Sequence, residues 1–292
     1  MKKNIVNMVQ GFCMALADSV PGISGGTVAF ILGFYEKFIN SINAFVTKGE
    51  DKKKAFSFLF KLGIGWAIGM ALAAIVLSKL FEDHIYSVSS LFIGFIVFAI
   101  PIIIKEEKNT LKGKYGYLIY SLIGIAIVSL ITYFNPTGGG SNVDLTNLNP
   151  LLCLYVFIAG VIAISAMVVP GISGSTLLLI FGLYVPVITS ISEVLHFNFG
   201  SLPILIVFGF GVITGLLLVI KLIKKALDKY RAEAIYMVLG LMVGSIYAII
   251  MGPTSLSVPK EAMNFGTFSI LFFIFGGIIV YGLEVLKRKL DK

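Results

Sequence analysis

The chain has 292 residues, of which 58% are hydrophobic and 13% charged, and its mean hydropathy is +0.98. No soluble globular domain approaches this balance, so the composition indicates a polytopic membrane protein. The net charge of +8 comes from 23 Lys and Arg against 15 acids. In a membrane protein this excess is typical of cytoplasmic loops, and we expect no binding of nucleic acid.

Ten apolar segments follow one another along the chain. Several reach the roughly 17 to 25 residues that a helix needs to cross the hydrocarbon core, and strand-like alternation is missing, so we predict an all-α integral membrane protein rather than a barrel. A linker rich in Gly, Asn and Pro, residues 135–150, divides the segments into two sets of five. The segments are 4–20, 23–46, 57–81, 87–104 and 115–134, then 151–169, 172–192, 203–223, 232–251 and 266–287.

The two sets contain related sequences. Residues 18–42 read DSVPGISGGTVAFILGFYEKFINSI and residues 167–191 read MVVPGISGSTLLLIFGLYVPVITSI, with 13 of 25 positions identical. Three further glycines recur at a constant spacing of 146 residues: Gly65, Gly69 and Gly94 match Gly211, Gly215 and Gly240. We therefore predict two membrane repeats, residues 1–149 and 150–292.

The lysines predict how the repeats are oriented. With the N-terminus inside, 20 of the 23 Lys and Arg fall in cytoplasmic ends and loops, and both termini are cytoplasmic. Five segments per repeat then place the second repeat upside down relative to the first, a construction common in secondary transporters. We expect six spanning helices and two opposed motif hairpins, 4–46 and 151–192. The lysines do not distinguish re-entrant from fully spanning hairpins, because both alternatives give the same loop sides. We favour re-entrant hairpins, because both motif segments are short for full spans if the break is deep.

Each motif predicts a break in the helix at membrane depth. Pro21 and Pro170 disfavour helix in the residue before them, and Gly22 and Gly171 permit conformations that are closed to other residues. Backbone groups freed in this way are costly in lipid, so each break must be buried in protein or line a wet cavity.

A new helix is expected to start directly after each break. Its first N–H groups have no partner within the helix, its dipole end is positive, and hydroxyl side chains add donors, so the two starts form a candidate phosphate site. The alternative is that the hydroxyls only cap the helices and the glycines only allow close packing. The candidate phosphate-binding residues are Ser24, Gly25, Gly26, Thr27, Ser173, Gly174, Ser175 and Thr176.

Three charged residues flank the first motif, and ionisable groups inside a membrane are usually functional. Asp18 or Glu36 would bind a coupling H⁺ or Na⁺, and Lys37 would neutralise an anionic head group. The alternative is that Asp18 caps a helix while Glu36 and Lys37 reach an interface. The second repeat has Met167, Val185 and Pro186 at these positions, so the two halves differ chemically.

No catalytic residue, metal site or other cofactor is expected. Cys13 and Cys153 both lie in apolar segments, where small buried hydrophobic side chains are the better interpretation. The two histidines show no metal-ligand spacing, and the arginines, at positions 231 and 288, lie in predicted cytoplasmic flanks.

The string ADSVPGISGGT with GFYEKFI, and its echo VVPGISGST with GLYVPVI, resembles the PopT family of polyprenyl-phosphate transporters, a bacterial membrane family formerly known only as a domain of unknown function. The resemblance covers nearly the whole chain. It implies a flippase of the bacterial plasma membrane that returns undecaprenyl phosphate from the outer to the cytoplasmic leaflet for cell-wall synthesis. It also implies that the motif positions together with Asp18 and Glu36 form the head-group site.

Two other functions stay open. A transporter of a small soluble anion or ion would use the same fold. A membrane lipid phosphatase would need a nucleophile or base beside a cationic cluster or metal, for which the sequence offers little. Membrane lipids are further expected partners, since lysine-rich inner loops attract anionic lipid.

Overall fold

The computed structural model of the chain describes residues 2–18, 24–45, 47, 51–72, 84–135, 143, 145, 149–256 and 258–290. Within these ranges all regular structure is helical, as the composition predicts. Short 3₁₀ turns at Tyr115–Tyr117, Phe199–Ser201 and Gly252–Ser255 flank three of the helices. The helices are α1 Lys2–Asp18, α2 Gly25–Ile31, α3 Tyr35–Asn43, α4 Lys52–Leu72, α5 Ile85–Glu106, α6 Lys108–Leu111, α7 Leu118–Tyr133, α8 Pro150–Val168, α9 Gly174–Ile180, α10 Tyr184–Leu195, α11 Leu202–Lys229, α12 Arg231–Met251 and α13 Ile270–Leu290.

In the described part of the chain, six helical stretches are long and apolar enough to cross a membrane. This number agrees with the prediction, but the membership differs. Helix α8, predicted as one arm of a hairpin, is itself long enough, whereas the described apolar stretch of α13, Ile270–Gly282, is shorter. The six are Lys52–Leu72, Ile85–Glu106, Tyr115–Tyr133, Pro150–Val168, Phe199–Lys229 and Arg231–Thr254.

The second arm of each motif hairpin is broken again. The apolar segments 23–46 and 172–192 read as continuous, yet α2 and α3 are separated at Gly33 and α9 and α10 at Gly182. Both glycines have positive φ values, 69° and 64°, which end a helix without strain. Helices α9 and α10 are bent by 108° relative to each other. This arm is therefore either a broken span or a re-entrant loop, the two alternatives that the sequence leaves open.

Helices α1 and α4 pack closely through glycines. A Cβ atom on Gly65 would overlap the carbonyl oxygen of Met8, and one on Gly69 would lie 2.8 Å from the carbonyl oxygen of Phe12. Because both contact positions advance by four residues, the two helices run parallel. Such small-residue contacts drive helix association in lipid, where apolar side chains gain nothing by leaving the hydrocarbon.

Helices α8 and α11 repeat this contact. Gly211 lies against the carbonyl of Phe157 and Gly215 against that of Val161. These glycines stand 146 residues after Gly65 and Gly69, and their partners stand 149 residues after Met8 and Phe12. The same backbone contact therefore occurs once in each half.

The other close pairs cross between the halves. Helix α5 packs on α13, with Gly94 against the carbonyl of Phe273, and α7 packs on α12, with Gly240 against the carbonyl of Ser121. Two helices of the first half, α5 and α7, thus each pack on a helix of the second half. The first motif hairpin lies in the largest apolar cluster, where Ala29 and Ile39 pack with Ile220, Met242 and others from the second half.

Candidate functional site

Helix α2 begins where the sequence predicts. Ser24 is its N-cap, and the Ser24 Oγ accepts a hydrogen bond from the Thr27 N–H at 3.2 Å. The same Oγ lies 3.1 Å from the Thr27 hydroxyl. Gly25 and Gly26 complete this turn, and all four residues are buried. Of the break that precedes it, Pro21 and Gly22 lie outside the described residues.

The start of α2 faces a carboxylate of the same chain. Gly25 donates its N–H to Asp18 Oδ1 at 2.6 Å, and the Trp66 indole donates to Asp18 Oδ2 at 3.0 Å. A negative group at this point complements the unpaired N–H groups and the positive dipole end of α2. Asp18 therefore accepts a hydrogen bond from the Gly25 N–H, which the sequence analysis predicts as a phosphate ligand.

The second motif has a different set of groups at the helix start. Helix α8 ends at Val168, Pro170 is fully buried, and Gly171 has a φ of +91°. Ser173 is the N-cap of α9, with its Oγ 2.8 Å from that of Ser175.

Buried groups continue the second motif into α9. Gly174 and Thr176 are both buried in its first turn. Met167 stands where the first motif has Asp18, so the described residues place hydroxyls but no matching carboxylate at this helix start.

The two motifs are in direct contact. The Gly171 N–H donates to the Thr27 Oγ1 at 2.7 Å, and the Tyr35 hydroxyl donates to the Val168 carbonyl at 3.1 Å. A Cβ on Gly26 would lie 2.7 Å from that same carbonyl oxygen, so only glycine fits there without a shift. Residues 133 and 144 positions apart in sequence thus form one buried cluster, which we call the motif junction: Ser24–Thr27, Tyr35, Val168 and Gly171. Helix α9 begins three residues after Gly171.

Glu36 lies apart from the motif junction. Its side chain is half exposed and forms an ion pair with Arg231, in which Glu36 Oε1 lies 2.8 Å from Arg231 Nη2. Arg231 also donates two bonds to Glu107, from Nε at 3.1 Å and from Nη2 at 2.5 Å. Partial burial opposes ionisation of Glu107, but the hydrogen bonds from Arg231 and Thr110 hold the pKa of its carboxyl below the ordinary value. The arginine therefore connects α3 to the end of α5 and the start of α12.

Lys37 also points away from the motif junction. Its ammonium group lies 3.8 Å from the centre of the Phe58 ring and donates to the Asn7 Oδ1 at 3.3 Å. Asn7 is eleven residues before Asp18 on α1, or about 16 Å along the helix axis. Of the three charged candidates, only Asp18 touches the start of a motif helix.

Sequence reasoning missed Trp66, Tyr35 and the Glu107–Arg231 pair. Trp66 is the single tryptophan of the chain, and Arg231 is one of two arginines. Their rarity was the one sequence signal that could have identified these two residues. Their partners are 48 to 133 residues distant, and no local pattern identifies them.

A multi-pass α-helical membrane protein with two motif copies in buried contact has the architecture of a membrane transporter. Residues 14–267 match the family model described as VCA0040-like, undecaprenyl phosphate translocase-like, and the chain belongs to this family. No solved structure matches the chain.

Two curated relatives agree with that assignment. The chain is 35% identical to a polyprenyl-phosphate transporter of Staphylococcus aureus over 252 residues, 86% of this chain and 88% of that protein. It is 31% identical to a polyprenyl-phosphate transporter of Vibrio cholerae over 249 residues, 82% and 75% of the two chains. The family resemblance stated from the motifs is confirmed. The relatives are transporters, which supports the prediction that this protein is not an enzyme.

Proposed function

We propose that this protein is a flippase that returns undecaprenyl phosphate from the outer to the cytoplasmic leaflet of the bacterial cell membrane, so that the lipid carrier is reused in cell-wall synthesis. The names of the two relatives and the family description support polyprenyl phosphate as the substrate. The prenyl tail would stay in the bilayer while the head group passes through the protein, where breaks in the helices supply polar groups.

The observation that carries this proposal is the contact between the two motifs, in which the Gly171 N–H donates to Thr27. Phosphate needs several donors within one pocket, and neither short motif helix supplies enough alone. Two helix starts brought together from separate halves would supply them. The proposed phosphate ligands are the hydroxyls and amides of Ser24, Gly25, Gly26, Thr27, Ser173, Gly174, Ser175 and Thr176.

Asp18 gives the first motif a second role. Its carboxylate holds the Gly25 N–H, so an incoming phosphate competes with it for the same amide. Protonation of Asp18, or binding of Na⁺ to it, would weaken this bond and favour the phosphate. We therefore propose that Asp18 couples head-group binding to an ion and that the second motif, with Met167 at this position, binds phosphate without such coupling.

The packing of the helices supports an inverted orientation of the repeats. Contacts at Ser121 with Gly240 and at Ile125 with Gly244 advance together, so α7 runs parallel to α12. Consecutive spanning helices joined by a short connection, such as α5 and α7, run in opposite directions. Helix α12 is the counterpart of α5 in the second repeat. Because α12 runs parallel to α7 and α7 runs opposite to α5, α12 runs opposite to α5. Inverted repeats of this kind allow one half to rock against the other and expose a central site to each leaflet in turn.

Reconstituted vesicles test the function. Purified full-length protein is placed in liposomes with undecaprenyl phosphate, and the lipid in the outer leaflet is followed with time by its accessibility to an added phosphatase. We expect exchange between leaflets to increase with the amount of protein. Exchange that does not depend on protein content contradicts the proposal.

Two further measurements on the same vesicles separate the alternatives. Uptake of inorganic phosphate in place of lipid exchange would indicate a transporter of a soluble anion, and release of phosphate without added phosphatase would indicate a lipid phosphatase.

The fluorescence of Trp66, the single tryptophan, reports on the Asp18 carboxylate that it contacts. Binding of the head group at the motif junction should change this fluorescence.

A further inference from the structure

A polar cavity lies between α1, α3 and the first half of α4. Its volume is about 520 Å³. We call it the basic pocket. Its described wall consists of Asn7, Lys37, Asp51, Lys53, Lys54, Ser57, Phe58 and Lys61.

The described part of this wall is strongly positive. Among the described lining residues there are four lysines and one acid, Asp51. Asp51 pairs with the Lys54 ammonium at 3.0 Å and accepts the Lys54 N–H at 3.1 Å, so it also caps the start of α4. Four ammonium groups around one cavity raise the positive potential there and favour an anion.

Two of these lysines contact neutral groups of the described wall. Lys37 lies over the face of Phe58 and donates to Asn7, while Lys61 donates to the Ser57 hydroxyl at 2.9 Å. A cation held by an aromatic face and an amide is fixed in position but keeps its charge. The wall therefore combines positioned positive charge with polar groups that can accompany a bound anion.

Helix α3 connects the basic pocket to the motif junction. Tyr35, at the start of α3, bonds to Val168 in the junction, and Lys37 lies two residues later in the pocket wall. Helix α4 makes a second connection, because Trp66 contacts Asp18 while Phe58 and Lys61 line the pocket. The lysine-rich start of α4 and the contact with Asp18 therefore lie on one helix, with the basic pocket between them.

We infer that the basic pocket binds the phosphate monoester of the polyprenyl phosphate at the lysine-rich end of the protein, as a station separate from the motif junction. This inference rests on the proposed function. A phosphate monoester carries about −1.5 to −2 charges at pH 7. The phosphodiester of an ordinary phospholipid carries a single charge, so several lysines around one cavity favour the monoester.

Lysine protection tests the pocket directly. The full-length protein in nanodiscs of neutral lipid is treated with an amine-acylating reagent, with and without farnesyl phosphate, a short polyprenyl phosphate. Modification at each lysine is measured by mass spectrometry. We expect farnesyl phosphate to reduce modification of Lys37 and Lys61 several-fold and to leave Lys105 and Lys114, which lie outside the pocket, unchanged. Equal modification of all four lysines with and without the probe overturns the inference.

Two other probes identify the source of the anion. Inorganic phosphate and phosphatidylglycerol are tested at the same concentrations. Equal protection by inorganic phosphate would mean that the pocket takes a free anion, and equal protection by phosphatidylglycerol would mean a general site for anionic lipid. Either result overturns the assignment to a polyprenyl phosphate monoester.

Substitutions separate this inference from the proposed function. We expect K37Q/K61Q to slow leaflet exchange of undecaprenyl phosphate by about tenfold, because each lost charge–phosphate bond weakens binding severalfold. K37R/K61R should restore exchange, and K105Q/K114Q, which removes the same charge elsewhere, should match the parent. If the parent exchanges lipid and K37Q/K61Q exchanges it equally fast with an unchanged melting temperature, the pocket inference fails alone. If the parent shows no exchange, the proposed function fails, whereas lysine protection still reports on the pocket.

Discussion

In the first half the Asp18 carboxylate contacts the start of the short helix α2 and the Trp66 indole contacts that carboxylate, whereas Met167 and Val212 occupy the corresponding positions of the second half. The surrounding frame differs much less. Gly11 lies against Leu62 in the first half as Gly160 lies against Phe208 in the second. The helix packing is thus alike in the two halves, because a Cβ at these glycines would overlap backbone atoms. The side chains at the helix starts differ, and with them the chemistry.

The shared frame predicts the largest effects. In G65A and G211A the added Cβ would overlap a backbone carbonyl oxygen in each half, and we expect each to lower the free energy of unfolding by about 3 kcal/mol. Gly63 and Gly209 correspond to each other and have open space around them. G63A and G209A should therefore raise stability by up to about 1 kcal/mol. Unfolding in detergent measures all four, and tolerance of G211A but not G65A would break the equivalence of the halves.

The contact between the motifs predicts the next effect. T27V removes the acceptor of the buried Gly171 N–H and leaves that donor unsatisfied, which should cost about 2 kcal/mol of stability. T27S keeps the hydroxyl and should lose clearly less. Thermal unfolding of the purified protein compares the two. A T27V protein that is as stable as the parent, or more stable than T27S, would assign the effect to packing of the methyl group rather than to the hydrogen bond.

The difference at the helix starts predicts a change in transport. D18N keeps an acceptor for the Gly25 N–H but cannot ionise, so exchange should lose its dependence on pH while the fold is retained.

M167D places an acid at the start of the second motif helix, where it should compete with phosphate and slow exchange about tenfold. M167N is its neutral control. Exchange in M167D that equals M167N would remove the second motif from the phosphate site.

The smallest effect concerns Glu36, which has no acidic counterpart because Val185 occupies the matching position. The exposed Glu36–Arg231 pair should contribute at most about 1 kcal/mol, so E36Q should shift the melting temperature little. E107Q replaces one of the two oxygens that accept from Arg231 with an NH₂ group and removes the negative charge, so it should cost more. A double-mutant cycle with R231Q isolates each pair.

The pH dependence of stability identifies Glu107 independently. Its pKa in the folded protein lies below the ordinary value of 4.5, so its stabilising contribution is complete above pH 4.5 and is lost as the pH falls through the lower folded-state pKa. E107Q should lack this part of the loss. Melting temperatures of parent and E107Q between pH 7 and pH 3 measure it, and parallel curves would contradict the assignment.

The amino-acid sequence by itself determined the local features of this protein. The apolar runs specify helices, Pro170 and Gly171 end α8, Ser24 caps α2, and the recurrent glycines mark where backbones approach. These features are readable because backbone restriction, capping and apolar length act within a few residues. The turns at Gly33 and Gly182 were missed, since a positive φ leaves no trace in an apolar run.

Only the tertiary structure decided which segments meet. It brought Thr27 to Gly171, Tyr35 to Val168 and Trp66 to Asp18, and it turned Lys37 toward Asn7 rather than toward the motif junction. In lipid an apolar face gains nothing by turning inward, so the hydrophobic pattern of a helix does not reveal its partner. Steric fit at small residues and a few hydrogen bonds between distant segments make that choice, and these exist only once the chain has folded.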